Sequence, residues 1–189
     1  MSNIKKLFLI DAFAIIYRAY FAFSKNPRIN SKGLETSAVL GFVNTLLEVL
    51  KKENPTHIAV VFDTPAATVR HIEYSQYKAN REAMPEGISV ALPYIDQVLD
   101  AFNIQKIFVD GYEADDVIGT LAKKAEKVGF TTYMMTPDKD FAQLVSENIL
   151  LYRPGNKWKP TEVWGVQEVL NKFEITRVEQ VIDFLGMMG

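Results

Sequence analysis

The stretch IFVDGYEADDVIG, residues 107–119, joins an apolar run to a helical pattern through an acidic turn. Its first residues, Ile107–Val109, are typical of a buried strand. The pattern from Glu113 to Val128 is typical of a helix, and Gly129 is a residue favoured just after a helix ends. A strand that leads directly into a helix is the arrangement from which α/β folds are built, so this stretch predicts that class.

The same alternation continues along the rest of the chain. The other predicted strands are Leu7–Ile10, Ile58–Phe62, Thr132–Met135 and Ile149–Tyr152, with a hairpin partner near Glu162–Trp164. The other predicted helices are 37–50, 64–77 with Thr64 and Pro65 at its start, 88–102, a short one from Asp138, 166–173 and 178–187. Apolar strands that alternate with helices predict a mostly parallel central sheet flanked by helices, within a single domain over residues 1–189.

The composition excludes several kinds of site. The chain has 189 residues, 48% of them hydrophobic, with no cysteine and two histidines, which excludes disulfides, thiolate zinc sites and multi-histidine metal sites. No apolar run is long enough to span a membrane, and the apolar stretch before Asp11 is too short for a signal peptide. We therefore expect a cytoplasmic monomer without membrane association. The net charge of −2 argues mildly against binding to nucleic acid.

Acidic residues follow four of the predicted strands. In an open parallel sheet, ligands bind beyond the carboxyl ends of the strands. The acids at these positions are Asp11, Asp63, Glu113, Asp115, Asp116, Asp138 and Asp140. We expect these seven carboxylates to converge on one edge of the sheet, where like charges would repel one another unless cations lay between them.

Two explanations compete for these acids. Acids are common at helix N-termini and in turns, and this alone accounts for Asp110. It accounts poorly for Asp11 and Asp63, since an isolated carboxylate directly after an apolar strand is costly unless it is paired or binds a metal. Oxygen ligands suit Mg²⁺ or Mn²⁺, and two such ions about 3.5–4 Å apart are used to hydrolyse phosphodiesters. The sequence holds no Ser–His–Asp candidate, P-loop or Gly-x-Gly-x-x-Gly motif that would indicate other chemistry.

A group of basic and aromatic residues follows Asp63. Helical spacing from Thr64 would place five of them on one side, namely Arg70, Tyr74, Tyr77, Lys78 and Arg81. Basic side chains position phosphates and aromatic rings stack on bases, which is how single strands are held. A solvated surface helix is the alternative, but the position directly after Asp63 favours the DNA-binding interpretation. Tyr17 and Arg18, soon after Asp11, are predicted as a second contact point.

Taken together and in order, these pieces resemble the 5′-nuclease domain of bacterial DNA polymerase I and the wider flap endonuclease family. The matching motifs are LID at 9–11 with YR at 17–18, FD at 62–63, RH at 70–71 with YKANR at 77–81, GYEADDVIG at 111–119, TPDKD at 136–140 and VIDFLGMMG at 181–189. The acidic motifs at 113–116 and 138–140 are the most specific of these. The resemblance covers the whole chain.

The resemblance implies a role for each singled-out residue. Ligands of a first metal would be Asp11, Asp63, Glu113 and Asp115, with Asp116 acting through water, and ligands of a second metal would be Asp138 and Asp140. Lys78 and Arg81 would hold the scissile phosphate, and residues 66–85 would form part of an arch that passes a single-stranded 5′ end. The implied activity is 5′-3′ exonuclease and 5′-flap endonuclease cleavage in primer removal and repair, with two Mg²⁺ or Mn²⁺ ions. The implied partners are DNA with a 5′ flap, nick or RNA primer, and a polymerase domain in the same chain.

Two departures from the family qualify this expectation. Pro137 stands where the family usually has glycine. The family also continues beyond Gly189 into an aspartate-rich segment and a helix–three-turn–helix that grips duplex DNA, so we expect the chain to be a fragment with weak or no activity of its own. A stand-alone flap endonuclease, a related RNA-cleaving nuclease and a non-enzymatic binding module remain as alternatives, although the retention of every acid argues against the last.

Overall fold

The protein is described by a computed structural model over residues 5–66, 68–74, 76, 83–156 and 159–188. The strands are β1 Lys5–Asp11, β2 His57–Phe62, β3 Gln105–Phe108, β4 Phe130–Met135, β5 Ile149–Arg153 and β6 Glu162–Trp164. The helices are α1 Ala12–Ala22, α2 Ser37–Glu53, α3 Val69–Glu73, α4 Glu86–Ala101, α5 Ala114–Lys127, α6 Val166–Phe173 and α7 Gln180–Met188. A 3₁₀ helix, Lys139–Leu144, lies between β4 and β5.

The strands form a six-stranded sheet in the order β3-β2-β1-β4-β5-β6. Strand β4 runs parallel to both β1 and β5, and β2 runs parallel to β3. The short β6 is antiparallel to β5, as the predicted hairpin requires. A mostly parallel sheet flanked by helices is therefore confirmed. None of the helices in the described ranges is long and apolar enough to cross a membrane.

The chain divides into two compact units. The first unit comprises Met1–Asp11, Pro55–Ile58 and Asp115–Gly189. Its core contains a cluster of rings around Phe8, which stacks on Tyr133 at 4.8 Å between centroids and meets Tyr152 edge-on at 5.2 Å. In β1 and β4, Ile10 lies opposite Met135, and both side chains are buried. This register brings the next residue of each segment, Asp11 at the end of β1 and Thr136 just after β4, side by side.

The second unit comprises Ala12–Asn54 and Ala59–Ala114. Helices α1, α2 and α4 pack together there around buried side chains such as Ile16, Phe42 and Ile95. Gly41 of α2 lies against α1, where a Cβ atom on Gly41 would lie 2.7 Å from the Cβ of Ala19. Glycine is therefore needed at position 41 for α1 and α2 to approach this closely.

Three elements differ from the predictions. Helix α1 is absent from the predicted elements because it follows β1 without any turn signal between Asp11 and Ala12. The helix predicted over 64–77 is wrong, since α3 is five residues long, begins after Thr68 and ends before an extended Tyr74 at φ −130°. Strand β3 lies at the edge of the sheet, and Phe108 is 55% exposed where a buried strand was predicted.

Candidate functional site

A group of three carboxylates lies at the N-terminus of α5. Each of Glu113, Asp115 and Asp116 offers one oxygen, and these oxygens all lie within 4.8 Å of one another. Gly111, with φ at +85°, turns the chain just before them, and both aspartates fall in the first helical turn. The N-terminus of a helix carries a partial positive charge that attracts acids. At α5 this attraction offsets part of the repulsion among the three carboxylates.

Glu113 is the most deeply placed of the three. It is buried, and its Oε2 accepts a hydrogen bond from the guanidinium of Arg70 at 2.7 Å. The backbone N–H of Val69 donates to the carbonyl of Gly111 at 3.1 Å, which ties the start of α3 to the same turn. The buried carboxylate is thus stabilised by a cation from α3, because an unpaired charge at this depth would be costly.

Asp63, directly after β2, caps helix α5 from outside the helix. Its Oδ1 accepts a hydrogen bond from the backbone N–H of Ala114, the first residue of α5, at 2.9 Å. The first N–H groups of a helix have no partner within it, so an acid that accepts one stabilises the helix end. The predicted ligand Asp63 therefore has a structural partner next to the acidic group at residues 113–116.

Asp11, the last residue of β1, is paired with the residue that follows β4. The hydroxyl of Thr136 donates to Asp11 Oδ2 at 3.0 Å. Thr136 is completely buried, and its own backbone N–H donates to the carbonyl of Tyr152 at 3.1 Å. The orientation of the Asp11 carboxylate is therefore set from β4.

The loop after Thr136 brings two further acids together. Asp138 caps the 3₁₀ helix, and its Oδ1 accepts a hydrogen bond from the backbone N–H of Asp140 at 2.9 Å. Partial burial, followed by the negative charge of Asp138, raises the pKa of Asp140 above its ordinary value, and Lys139 partly offsets this. The loop thus carries two carboxylates, which are the oxygen donors that a hard divalent cation prefers.

Arg153 supports the same loop from β5. Its Nη2 and Nε donate to the carbonyl of Pro137 at 3.0 and 3.3 Å, and its guanidinium lies over the ring of Trp164 at 4.4 Å. A fork of two donors on one oxygen holds the carbonyl in a defined position. Proline is thus accommodated at position 137. The hydrogen bonds from Arg153 hold the loop through the Pro137 carbonyl, so the loop needs no backbone N–H at this residue.

The donors in these groups fit a hard divalent cation. All are carboxylate oxygens, the ligand type that Mg²⁺ and Mn²⁺ prefer. Oxygens around a Mg²⁺ ion at about 2.0–2.1 Å lie at most roughly 4 Å apart, close to the spacing among Glu113, Asp115 and Asp116. In the described ranges, this trio is the group found with metal-binding spacing, and Asp11, Asp63, Asp138 and Asp140 are not members of it.

Residues 6–174 match the family described as 5′-3′ exonuclease, N-terminal resolvase-like domain. The chain belongs to this family. The resemblance drawn from the acidic motifs is therefore confirmed over most of the chain.

Named relatives of this nuclease family cover nearly all of the chain. DNA polymerase I of Bacillus subtilis is 40% identical over 190 residues, which are 100% of this chain and 21% of that protein. The 5′-3′ exonuclease of Aquifex aeolicus is 39% identical over 185 residues, which are 98% of this chain and 62% of that protein. The chain thus spans about one fifth of the first relative and less than two thirds of the second.

A solved structure shows the same fold. The flap endonuclease of bacteriophage T5, in a pseudo-enzyme–product complex with DNA and metal ions, gives a TM-score of 0.69 and 16% identity. The likeness covers 97% of this chain and 66% of that one. At this identity the comparison establishes the fold of the family domain.

The residues predicted to contact DNA are only partly placed by the structure. Tyr77, Lys78 and Arg81 lie outside the described residues, as do eight of the twenty residues of the predicted arch at 66–85. The prediction that Tyr74 lies on a helix face with the other basic and aromatic residues is wrong. Tyr74 comes after the end of α3, its backbone is extended, and it is 67% exposed. Arg70 does lie on α3, but its guanidinium is directed at Glu113.

The second predicted contact point lies on α1. Tyr17 belongs to a row of rings in which its centroid is 6.5 Å from that of Phe13 and 6.3 Å from that of Phe21. Arg18 is partly buried, which lowers the pKa of its guanidinium, while the charge of Glu48 on α2 raises that pKa. Phe21, at the exposed end of the row, is an additional aromatic residue that the sequence pattern did not single out.

Two residues of the site were missed in the sequence. Thr136 stands inside the motif TPDKD, but a threonine before a proline gives no sign that its hydroxyl meets Asp11. Arg153 lies 16 residues after Pro137, and only the pairing of β4 with β5 places it beside that residue. Both act through contacts between strands, which a local sequence pattern does not encode.

Proposed function

We propose that the protein hydrolyses phosphodiester bonds of DNA at 5′ ends and 5′ flaps in a reaction that depends on divalent metal ions. The observation that carries this proposal is the carboxylate trio Glu113, Asp115 and Asp116 within a domain of the 5′-3′ exonuclease family. The T5 enzyme of the same fold is described with both DNA and metal ions. Because the chain spans only part of its relatives, the activity of the whole protein is part of the proposal.

The proposed metal ligands are the seven acids at the ends of the strands and starts of the helices. A first Mg²⁺ or Mn²⁺ ion would be held by Asp11, Asp63, Glu113 and Asp115, with Asp116 acting through water, and a second by Asp138 and Asp140. Such ions supply charge neutralisation at the attacking and leaving oxygens of the phosphate. The acids' own hydrogen bonds support this assignment, because each bond fixes a carboxylate before a cation arrives.

The proposed DNA contacts lie in the segment after β2 and on α1. Lys78 and Arg81 would hold the scissile phosphate, Tyr74 and Tyr77 would stack on bases, and Arg70, Tyr17 and Arg18 would add contacts. The exposure of Tyr74 supports stacking, since its ring is largely open to solvent. Contacts to phosphate carry no sequence information, so Lys78→Ala should slow cleavage of all flap sequences alike.

The setting that we propose is primer removal and DNA repair in the bacterial cytoplasm, as part of a monomeric DNA polymerase I. DNA polymerase I of Bacillus subtilis supports this setting at 40% identity. A stand-alone 5′ nuclease is the second candidate, favoured by the Aquifex aeolicus exonuclease at 39% identity. The sequence of the complete gene distinguishes these two candidates.

A cleavage assay on the whole protein encoded by the complete gene tests the proposed activity. The substrates are a 5′-flap DNA and an RNA strand of the same sequence, incubated with Mg²⁺, with Mn²⁺ or with EDTA. We expect cleavage of DNA that requires metal, and a loss of at least about 100-fold in Asp115→Asn, since a ligand is removed. Asp110→Asn is the matched control, because Asp110 is exposed, lies three residues before Glu113 and is not a proposed ligand.

Two outcomes would contradict this function. Cleavage of RNA in preference to DNA would indicate a related ribonuclease. Cleavage that survives EDTA, or that falls equally in the Asp115 and Asp110 variants, would show that the acidic trio does not act through a metal.

A further inference from the structure

Thr136 lies between the acids of β1 and those of the loop after β4. Its side chain is completely buried, and its hydroxyl makes two hydrogen bonds. It donates its proton to Asp11 Oδ2 at 3.0 Å and accepts the backbone N–H of Asp138 at 3.2 Å. Because the hydroxyl has a single proton, the donation to Asp11 leaves its lone pairs to face the N–H of Asp138.

The bonds continue from Asp138 to the last acid of the loop. Asp138 Oδ1 accepts the N–H of Asp140 at 2.9 Å, so one connected path joins Asp11, Thr136, Asp138 and Asp140. All four residues belong to the first unit, in which the pairing of Ile10 with Met135 holds β1 and β4 in register. A shift of the Thr136 hydroxyl would therefore move acids assigned to both proposed metal ions.

Burial alone does not account for these bonds. Thr132, four residues before Thr136 and within β4, is also completely buried, yet its Oγ1 has no hydrogen-bond partner in the described part of the chain. The strand thus accommodates a buried threonine without a bonded hydroxyl. The two hydrogen bonds of Thr136 indicate instead that a hydroxyl group is needed just after β4, where it contacts Asp11 and Asp138.

We infer that Thr136 is a positioning residue that orients the Asp11 carboxylate and the Asp138–Asp140 loop for divalent cations. It binds no metal itself. This inference rests on the proposed function, since it takes Asp11, Asp138 and Asp140 as metal ligands. It follows the general behaviour of metal sites, in which the partners of the ligands set ligand orientation and affinity.

The affinity of the whole chain for Mn²⁺ tests the inference. It is measured from the electron paramagnetic resonance signal of the Mn²⁺ that remains unbound. Thr136→Val keeps the shape of the side chain but removes both bonds, and we expect Mn²⁺ to bind about 10-fold more weakly. Thr132→Val makes the same change at the unbonded threonine, and its affinity should stay within about twofold of wild type. Thr136→Ser restores the hydroxyl and should restore the affinity, which a role in packing alone would not explain.

A second measurement needs no metal. Amide hydrogen exchange at Asp138 and Asp140 in EDTA should be faster in Thr136→Val than in wild type, and unchanged in Thr132→Val. Should Thr136→Val not fold, Thr136→Ala takes its place in both measurements, because it removes the same two bonds without placing a methyl group against Asp11. Unchanged Mn²⁺ affinity and unchanged amide exchange in that variant would overturn the inference.

The outcomes separate this inference from the function on which it rests. If neither wild type nor Thr132→Val binds Mn²⁺, the proposed metal site fails, and the exchange measurement alone decides the role of Thr136. If both bind Mn²⁺ and Thr136→Val binds it equally well, the site stands and the positioning role is wrong. Equal weakening in the two valine variants would also overturn the role.

Discussion

At the scale of single residues, three of the proposed ligands are held by neighbours that are not themselves ligands. Arg70 holds Glu113, Thr136 holds Asp11, and the N–H of Ala114 is held by Asp63. Each partner donates a hydrogen bond to a carboxylate, and such a bond favours the charged form of an acid that lies near other acids or in a buried position.

Arg70 should compete with a metal ion for Glu113. Replacing it with alanine in Arg70→Ala removes the ion pair to a buried carboxylate, so the melting temperature in EDTA should fall. The same change removes a positive charge close to the trio, so the increase in melting temperature on adding Mn²⁺ should become larger than in wild type. Differential scanning calorimetry with EDTA and with Mn²⁺ measures both effects.

Arg177→Ala is the control for this prediction, because it removes an exposed arginine that is not a neighbour of the acids in sequence. Its melting temperature should match wild type under both conditions. A smaller Mn²⁺ effect in Arg70→Ala would show that Arg70 assists metal binding, which would contradict the competition.

At the scale of elements, the close approach of α1 and α2 depends on Gly41. Alanine at this position would place a Cβ atom 2.7 Å from Ala19 Cβ and 3.1 Å from its Cα, so one helix must move. Overpacking of this kind costs about 1–3 kcal/mol and outweighs the gain of up to about 1 kcal/mol in helix propensity. Gly41→Ala should therefore lower the free energy of unfolding in urea.

Gly186 in α7 is the matched control, since a Cβ atom there meets nothing within 4 Å. Gly186→Ala should leave the free energy of unfolding unchanged or raise it by up to about 1 kcal/mol. If both alanine variants behave alike, the contact between α1 and α2 is looser than the structure indicates.

The elements also show which parts of the fold the sequence can predict. Helices with a clear apolar period, such as α2, α4 and α6, were predicted to within a few residues, because their spacing reflects a single buried face. The bounds of the short α3 were not predicted. Its start is tied by a hydrogen bond from the backbone N–H of Val69 to the carbonyl of Gly111, which is distant in sequence. Strand β3 reads as buried, yet its place at the sheet edge depends on strand order, which local patterns do not contain.

At the scale of the whole molecule, metal binding should appear as added stability. A ligand that binds only the folded state at 100 times its Kd adds about 2.7 kcal/mol, which for a chain of this size raises the melting temperature by roughly 5–10 °C. We expect this increase with Mn²⁺ in wild type. In Asp63→Asn the increase should be smaller, because a charged ligand is lost.

The asparagine variant is preferable to alanine because of the cap on α5. Asparagine keeps an oxygen that can accept the N–H of Ala114, so Asp63→Asn in EDTA should be as stable as wild type or more stable. Asp63→Ala loses that bond and should be destabilised by about 0.5–2 kcal/mol. An equal Mn²⁺ effect in wild type and Asp63→Asn would exclude Asp63 as a ligand.

The candidate site, like the fold, was predictable in part. The positions of the seven acids follow from strand ends and helix starts, which are visible in the sequence. Their hydrogen-bond partners come from other strands and helices, so Thr136 and Arg153 acquire their roles only in three dimensions. The net charge of −2 does not locate the site, since it sums the acids of the site with all other charges of the chain.

The contact between Arg153 and Trp164 gives the protein an optical reporter of its own. Indole fluorescence responds to a charge held over the ring, and the same guanidinium grips the carbonyl of Pro137 beside Asp138. Any event that draws this loop away from Arg153 therefore changes the emission of Trp164. The chain has only one other tryptophan, Trp158, so a Trp158→Phe variant isolates the signal. Rapid mixing of that variant with metal or DNA would follow the loop in real time without an added dye.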